Sequence, residues 1–361
     1  MRPFKLMAVA VVATFTATAA LADGFPVGER HLVAANPTAA LRAADHKPDV
    51  RVTVWYPAVG GADEKSLDLG PPAQPLFYVG SAAPDAAFAD GRRRPVILFS
   101  HGFGGSARMM AWFTTVLAQQ GYVVIAVDHP GNNGVDKMTV AGAAMFWDRP
   151  GDLQAALDAA AADPVIGAHL DMKRLAVAGY ATGGFTALAA AGARVDLQRF
   201  RATCAARPDD GLCSPQPEFP VTMEQATAAL AAPELAAEAA HAGDDHSIRG
   251  VRAVFAMAPA LVQSIDPGSL TAMAVTVGIV LGTGDSVAPP HLNGSAAARA
   301  IPRAQLKALR GVGHYDFLST CSPAGFNTVP LCQALQSPQG PTHFEALQMA
   351  LILFGRAMGA P

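Results

Sequence analysis

The sequence contains no long block of basic residues and no strong excess of either charge. Its 26 Lys and Arg residues are balanced by 29 Asp and Glu residues, which gives a net charge of −3. The basic clusters are short, as in residues 92–94. Because nucleic-acid binding requires a concentrated positive surface, this composition argues against a nucleic-acid partner.

Long hydrophobic runs are also missing after the first two dozen residues, so we expect no membrane span. The early run follows Arg2 and Lys5 and ends in the small-residue site Ala20-Leu21-Ala22, which is typical of a cleaved signal peptide. A membrane anchor is the alternative, but the run is short and interrupted by Thr and Ala. The sequence therefore predicts a signal peptide over residues 1–22 and a periplasmic or secreted mature protein.

Cysteine is scarce, with Cys204, Cys213, Cys321 and Cys332 as the only four. The first two are 213 − 204 = 9 residues apart and the last two 332 − 321 = 11 residues apart. In an oxidising compartment, two local disulfides are the simplest of the three possible pairings. A metal site is the alternative, but no His or Cys stands beside them at zinc-finger spacing. We expect neither a metal nor an organic cofactor.

Short apolar runs alternate with helical segments along the chain. The runs are rich in Val, Ile, Leu and Ala and predict strands that are mostly buried on both faces. Their alternation with helices favours an α/β fold with a mostly parallel sheet covered on both sides. The predicted strands are residues 50–56, 95–100, 122–127, 175–179, 252–257, 275–281 and 305–309. The predicted helices are residues 107–120, 151–162, 183–193, 291–300 and 342–358.

Two stretches interrupt this alternation. Residues 57–94 are rich in Gly, Pro and Ala and predict an extended surface segment. Residues 197–249 contain the first Cys pair and an Ala-rich helical run over 224–242. We therefore expect one domain over residues 23–361 with a lid-like insertion at about 197–249, which either shapes a pocket or only packs on the core.

The stretch GYATGG lacks the side chain around which its pattern is normally built. In the nucleophile elbow G-x-S-x-G, the apex residue sits in a strained strand-to-helix turn, and bulky residues two positions away would clash. Gly179 and Gly183 meet that requirement, and an apolar strand and a small-residue helix flank them, but the apex is Ala181. An ordinary strand-to-helix turn is the alternative, which the coincidence of these features disfavours.

Three further turns follow predicted strands, where ligands bind in open parallel sheets. FSHGFGG offers the amide of Phe103 to a developing oxyanion, GTGDSVAPP places Asp285 after a strand, and GHYDFL places His314 after the next. The chain order of nucleophile position, acid and histidine at 181, 285 and 314 matches that of the α/β-hydrolase triad.

The motifs VTVWYP, FSHGFGG, VDHPGNNG, WDRPGDL, GYATGG, GTGDSVAPP and GHYDFL together resemble secreted bacterial α/β hydrolases of the dienelactone-hydrolase-like family. They are more distantly similar to platelet-activating-factor acetylhydrolases. The resemblance implies that Phe103 and Thr182 supply oxyanion amides, that Asp285 orients His314, and that His314 is the base. In the acetylhydrolases the acid follows the strand before the one that leads to Asp285. Here that strand, predicted at 252–257, ends in AMAPA without a carboxylate, so Asp285 is the expected acid.

Other hydroxyl groups are poor substitutes for the missing nucleophile. Thr182 would shift the elbow by one residue and place Tyr180 where a small residue is needed, and its side chain is β-branched. Ser100 and Ser106 lie in or next to the FSHGFGG turn, residues 99–105, which we call the oxyanion turn. Neither lies at an elbow.

Five polar or aromatic residues near the strand ends could have structural roles instead of contacting substrate. We expect His101 and His129 to hold loops by hydrogen bonds and the Asp128 side chain to cap its turn, with contact to substrate as the alternative. Trp147 and Arg149 either line the pocket rim or pack inside the protein.

Two functions remain open from the sequence. The first is a hydrolase of small-molecule carboxylic esters in which Ala181 replaces the nucleophilic Ser. The second is a non-catalytic protein that binds an ester or a partner. The presence of both His314 and Asp285 favours the hydrolase, because a site without chemistry has no use for a base and the acid that orients it.

Overall fold

The computed structural model of the chain describes residues 24–361, so the signal peptide predicted at residues 1–22 lies outside the described residues. None of the helices within residues 24–361 combines the length and the apolar character that a bilayer crossing demands.

The described residues form strands and helices in alternation over most of the chain. The strands are β1 Val27–Ala35, β2 Asp49–Pro57, β3 Lys65–Ser66, β4 Phe77–Tyr78, β5 Ser81–Pro84, β6 Arg94–Ser100, β7 Val123–Asp128, β8 Leu170–Tyr180, β9 Val251–Met257, β10 Thr276–Gly282, β11 Gln305–Leu309 and β12 Thr320–Cys321. The helices are α1 Ala39–Arg42, α2 Ala111–Gln119, α3 Val140–Ala144, α4 Arg149–Ala162, α5 Thr182–Ala189, α6 Leu197–Ala206, α7 Met223–Ala231, α8 Pro233–Ala239, α9 Pro267–Thr271, α10 Gly294–Ala300, α11 Pro323–Thr328, α12 Pro330–Gln333 and α13 Gln339–Met358.

Ten of the strands form one sheet in the order β11-β10-β9-β8-β6-β7-β2-β1-β5-β3, and β12 pairs with β4 separately. From β7 through β6, β8, β9 and β10 to β11, every neighbouring pair is parallel. β2 joins β7, and β1 joins β2, in antiparallel pairing. The prediction of a mostly parallel sheet is confirmed, and β2 and β6 to β11 correspond to the seven predicted strands.

Both faces of the central strands are covered, which explains why β6, β7, β9 and β10 are apolar over most of their length. In β6, Val96 and Leu98 belong to the core on one face, whereas Ile97 and Phe99 belong to the core on the other. Helices α4, α5 and α10 contribute to the first core, and α2 and α13 contribute to the second. Such doubly covered strands show no polar alternation.

β1 was not among the predicted strands because charged residues interrupt its apolar pattern. Glu29 is buried within it, where its carboxylate accepts hydrogen bonds from the Trp55 indole and the Arg108 guanidinium, both at 2.8 Å. A buried carboxylate with such partners is tolerated in a sheet, although the sequence alone gives no sign of them.

Both irregular stretches contain more structure than their sequences suggest. Residues 57–94 are not only a surface segment, because β3 and β5 extend the edge of the large sheet. The Ala-rich run over 224–242 forms two helices rather than one. Pro233 begins α8, because proline lacks an amide hydrogen and fits only the first turn of a helix.

The predicted disulfides are both present. Cys204 bonds to Cys213 and ties α6 to the loop that follows it, and Cys321 bonds to Cys332 and ties β12 to α12. The predicted pairing is therefore confirmed, and the described residues include no free cysteine.

Removal of the second disulfide by Cys321→Ala with Cys332→Ala should lower the free energy of unfolding by about 2–3 kcal/mol, because the bond restricts the unfolded chain. Chemical denaturation of the double variant and the parent measures this difference. Peptide mapping without reductant provides the control, since crossed pairs or free thiols in the parent would contradict the pairing.

Candidate active site

The turn after β8 has the geometry of a nucleophile elbow with Ala181 at its apex. Ala181 adopts φ 53° and ψ −117°, a strained conformation for a residue with a side chain. Its amide donates to the carbonyl of Met257, and its carbonyl accepts from the amides of Gly184 and Ala260. Backbone hydrogen bonds on both sides of the apex thus hold the strained conformation in place.

The two glycines of the elbow are required by close backbone contacts. A Cβ atom on Gly179 would lie 2.1 Å from the carbonyl oxygen of Gly183, and one on Gly183 would lie 1.9 Å from that of Ser100. No side chain fits at such distances. The sequence prediction that these positions need glycine has this physical basis.

His314 and Asp285 form a hydrogen-bonded pair next to the elbow. Nδ1 of His314 donates to Oδ2 of Asp285 at 2.7 Å. The other oxygen, Oδ1, accepts from the amides of Val287 at 3.0 Å and Ala288 at 2.7 Å, which fixes the carboxylate. Nε2 of His314 is thereby left as the basic nitrogen.

The amides of Phe103 and Thr182 lie on the two sides of the elbow. Gly102 packs so closely that an added Cβ would lie 3.3 Å from Cβ of Ala181. Thr182 is the first residue of α5, whose opening amides point out of the helix. Within the described chain, neither amide donates to a protein acceptor. Both are therefore free to donate to a ligand.

One cavity of about 200 Å³ brings these groups together. Ala181, His314, Phe103 and Thr182 all line it, and Asp285 stands behind His314. The segment predicted as an insertion, residues 197–249, lines the cavity with an apolar wall made by Leu197, Phe200, Phe219, Val221, Met223 and Leu230. The insertion therefore shapes the pocket as well as packing on the core.

The insertion also supplies a carboxylate that the sequence did not reveal. Glu218 lines the same cavity and is half-buried, and the Tyr315 hydroxyl approaches its Oε1 at 3.4 Å. An added Cβ on Gly104 would lie 2.9 Å from Cβ of Glu218, so the acid sits against the oxyanion turn. Burial raises the pKa of Glu218, and the nearby His314 opposes this shift. Its sequence context, QPEFP, contains no catalytic motif.

A second Ser, His and Asp relay lies beneath the site but is closed to substrate. The Ser100 hydroxyl donates to Nε2 of His129 at 2.8 Å, and Nδ1 of His129 donates to Asp152 at 2.8 Å. Ser100, His129 and Asp152 are each 0% exposed. Burial lowers the pKa of His129 to about 3. This relay is structural, as expected for His129.

The bidentate contact of Arg42 neutralises the relay carboxylate. Its two terminal nitrogens reach the two oxygens of Asp152 at 2.7 and 2.8 Å. The relay also supports the oxyanion turn, because the amide of His129 donates to Nε2 of His101 at 3.1 Å. The expected hydrogen-bonding role of His101 is thus confirmed.

The structure refines the expectations for three neighbouring residues. Asp128 does not cap its own turn, because its carboxylate accepts from the amide of Ala107 at 2.8 Å, across the strand ends. Trp147 and Arg149 are both buried and do not line the cavity. They therefore pack inside the protein rather than form the pocket rim.

A mostly parallel sheet, a strained elbow after a central strand, and a His–Asp pair after later strands define an α/β hydrolase of the serine-hydrolase type. The model of the family described as serine aminopeptidase, S33, matches residues 91–314, which is more than half of the chain. The chain belongs to this family. The finer resemblance to dienelactone-hydrolase-like proteins stays a prediction.

Solved structures support the fold. A ferulic acid esterase from Streptomyces cinnamoneus matches with a TM-score of 0.60 and 19% sequence identity, covering 94% of this chain and 92% of that chain. At this identity the likeness establishes the fold alone. A search of curated proteins gives no match.

Gly183→Ala should destabilise the protein by about 1–3 kcal/mol or more, because the new Cβ would clash with a backbone carbonyl that cannot move freely. Gly355→Ala is the matched control, since nothing lies within 4 Å of an added Cβ at this position in the last turn of α13. That variant should gain about 0.4–1 kcal/mol. Equal unfolding free energies for the two variants would contradict the elbow geometry.

Proposed function

We propose that the cavity is the active site of a carboxylic-ester hydrolase in which Ala181 occupies the nucleophile position. The observation that carries this proposal is the pairing of His314 with Asp285, at 2.7 Å, beside an elbow that retains its strained conformation. The amides of Phe103 and Thr182 support it, because two donors without a protein acceptor border the same cavity and could stabilise a tetrahedral oxyanion.

Each residue has a distinct role in this proposal. With Ser at position 181, Nε2 of His314 would accept the hydroxyl proton as the oxygen attacks the ester carbonyl, and would pass that proton to the alkoxide, which leaves as the alcohol. Water deprotonated by the same nitrogen would then attack the acyl group, releasing the acid and returning the proton to the serine oxygen. Asp285 would hold the ring and stabilise its protonated form. With Ala181, only water can serve as the nucleophile.

The water route uses the same groups in one step. His314 takes a proton from water as the oxygen adds to the carbonyl carbon, and the oxyanion formed accepts from the two amides. Collapse of this intermediate expels the alkoxide, which receives the proton from His314. We therefore expect slow hydrolysis rather than none.

The favoured substrate is a small-molecule ester with apolar groups. The cavity of about 200 Å³ is mostly apolar, which suits hydrocarbon substituents on either side of the ester. Two disulfides agree with the proposed periplasmic or secreted location.

A non-catalytic ester-binding protein is the second candidate. Its support is Ala181 itself, which has no heteroatom to form an acyl intermediate. The cavity and the two amides would then bind the ester without turnover, and the His314 ring would act only as a hydrogen-bonding group.

Turnover of an activated short-chain ester by the unmodified chain should exceed the uncatalysed rate by roughly 10³- to 10⁴-fold, the residual activity seen when a triad residue is removed. His314→Ala should abolish this turnover because no other imidazole in the described chain pairs with an acid at the cavity. Steady-state assays of both proteins check this. Equal rates would show that the turnover arises elsewhere.

Ala181→Ser should add a hydroxyl beside His314 and raise kcat strongly, since a nucleophile and base acting together account for about 10⁶-fold in comparable triads. A chromogenic ester should give burst kinetics, and a fluorophosphonate should label only position 181.

Thr182→Ser, made with Ala181 unchanged, is the control for this gain. It also presents a serine hydroxyl at the elbow, but one residue beyond the apex, and should neither label nor turn over the ester. An Ala181→Ser protein that folds but neither labels nor hydrolyses would favour the ester-binding protein.

A further inference from the structure

The peptide group between Gly102 and Phe103 is held by its carbonyl end. The Gly102 oxygen accepts from Nδ1 of His101 at 2.6 Å, from the amide of Gly105 at 3.2 Å, and from Nη2 of Arg149 at 3.4 Å. Because a trans peptide is planar, its N–H points opposite to its C=O. Donors that fix the Gly102 carbonyl therefore fix the direction of the Phe103 amide.

Arg149 is an unusual residue to find under this turn. It is 1% exposed, and no carboxylate forms an ion pair with it anywhere in residues 24–361. Its acceptors are the carbonyls of His101, at 2.8 Å, and Gly102. Nε has no partner. Burial of a cation without an ion-pair partner costs free energy, so the position of Arg149 under this turn requires a functional explanation.

The charge of Arg149 persists despite its burial. Desolvation lowers its pKa to about 9, which still leaves the guanidinium protonated at neutral pH. Asp152, the nearby acid, gives both carboxylate oxygens to Arg42. The positive charge of Arg149 therefore lies closest to the two carbonyls to which it donates hydrogen bonds, those of His101 and Gly102. Polarisation of a peptide through its carbonyl strengthens its N–H as a donor.

We infer that Arg149 and His101 are positioning residues for the oxyanion donor at Phe103. They orient the Gly102–Phe103 peptide from behind and polarise its N–H toward the cavity. This inference rests on the proposed ester hydrolysis, in which the Phe103 amide binds the oxyanion. Arg149 does not line the cavity, and His101, which does, is fully buried and acts here through the Gly102 carbonyl, so we expect their effect on the transition state to exceed that on substrate binding.

The kinetic test uses the Ala181→Ser protein as parent. Arg149→Gln should lower kcat about 10- to 100-fold and change KM by less than about threefold, a smaller loss than deletion of an oxyanion donor. Arg94→Met is the matched control, because Arg94 is also buried but lies at the opposite end of β6, paired with Asp90. It should leave kcat unchanged. A kcat in Arg149→Gln equal to that of the parent would overturn the inference.

His101 provides a second pair of variants in case Arg149→Gln does not fold. An Asn side chain places its NH₂ group near the position of Nδ1, whereas Gln places it near that of Nε2. His101→Asn should therefore retain most of kcat through the contact with Gly102, and His101→Gln should lose it. Equal values of kcat for the two would count against the inference.

A measurement without turnover separates this inference from the proposed function. In ¹⁵N-phenylalanine-labelled protein with Ala181 unchanged, the Phe103 amide signal should move in Arg149→Gln and stay in place in Arg94→Met. If Ala181→Ser proves inactive while this shift is observed, the proposed function fails and the positioning stands. An unmoved signal would refute the positioning whatever the activity.

Discussion

The architecture of the site depends on one backbone contact, the packing of the first turn of α5 against the end of β6. Cα of Gly183 lies so close to the Ser100 carbonyl that even one methyl group is excluded. This approach draws the start of α5 under the oxyanion turn that follows β6. As a result, the Thr182 and Phe103 amides can face one cavity although they belong to different strand–helix connections.

The same contact explains why the elbow survives without a serine. A non-glycine residue in a strained conformation such as that of Ala181 costs about 1–3 kcal/mol. That cost is met by backbone hydrogen bonds of residue 181 and by the close backbone contacts of Gly179 and Gly183, in which the Ala181 side chain takes no part. The elbow is therefore a property of the surrounding backbone, and the hydroxyl of a serine would contribute chemistry rather than structure.

Much of the fold and part of the site could be predicted from the sequence because the signals are local. The strands from β6 to β11 are short apolar runs between turns, and the elbow glycines, Asp285 and His314 each follow such a run. The position of Glu218 in the cavity and the contacts of Arg149 could not be predicted in this way. Arg149 acts on a carbonyl 48 residues earlier in the chain, and Glu218 reaches a tyrosine 97 residues later, so only the folded chain brings each pair together.

The strand ends and the insertion make separable contributions to the cavity. In the proposed ester hydrolysis, the strand ends supply the groups that act on what all esters share, a carbonyl that becomes an oxyanion and a proton that must be transferred. Residues 197–249 supply the apolar wall and the carboxyl of Glu218, which in the proposed function would contact the substituents that distinguish one ester from another. A carboxylate in an apolar wall repels a developing oxyanion when ionised and can donate a hydrogen bond when protonated. Burial raises the pKa of Glu218, which favours its protonated form, so in the proposed function this side chain would place less negative charge near the reacting carbonyl than an exposed carboxylate would.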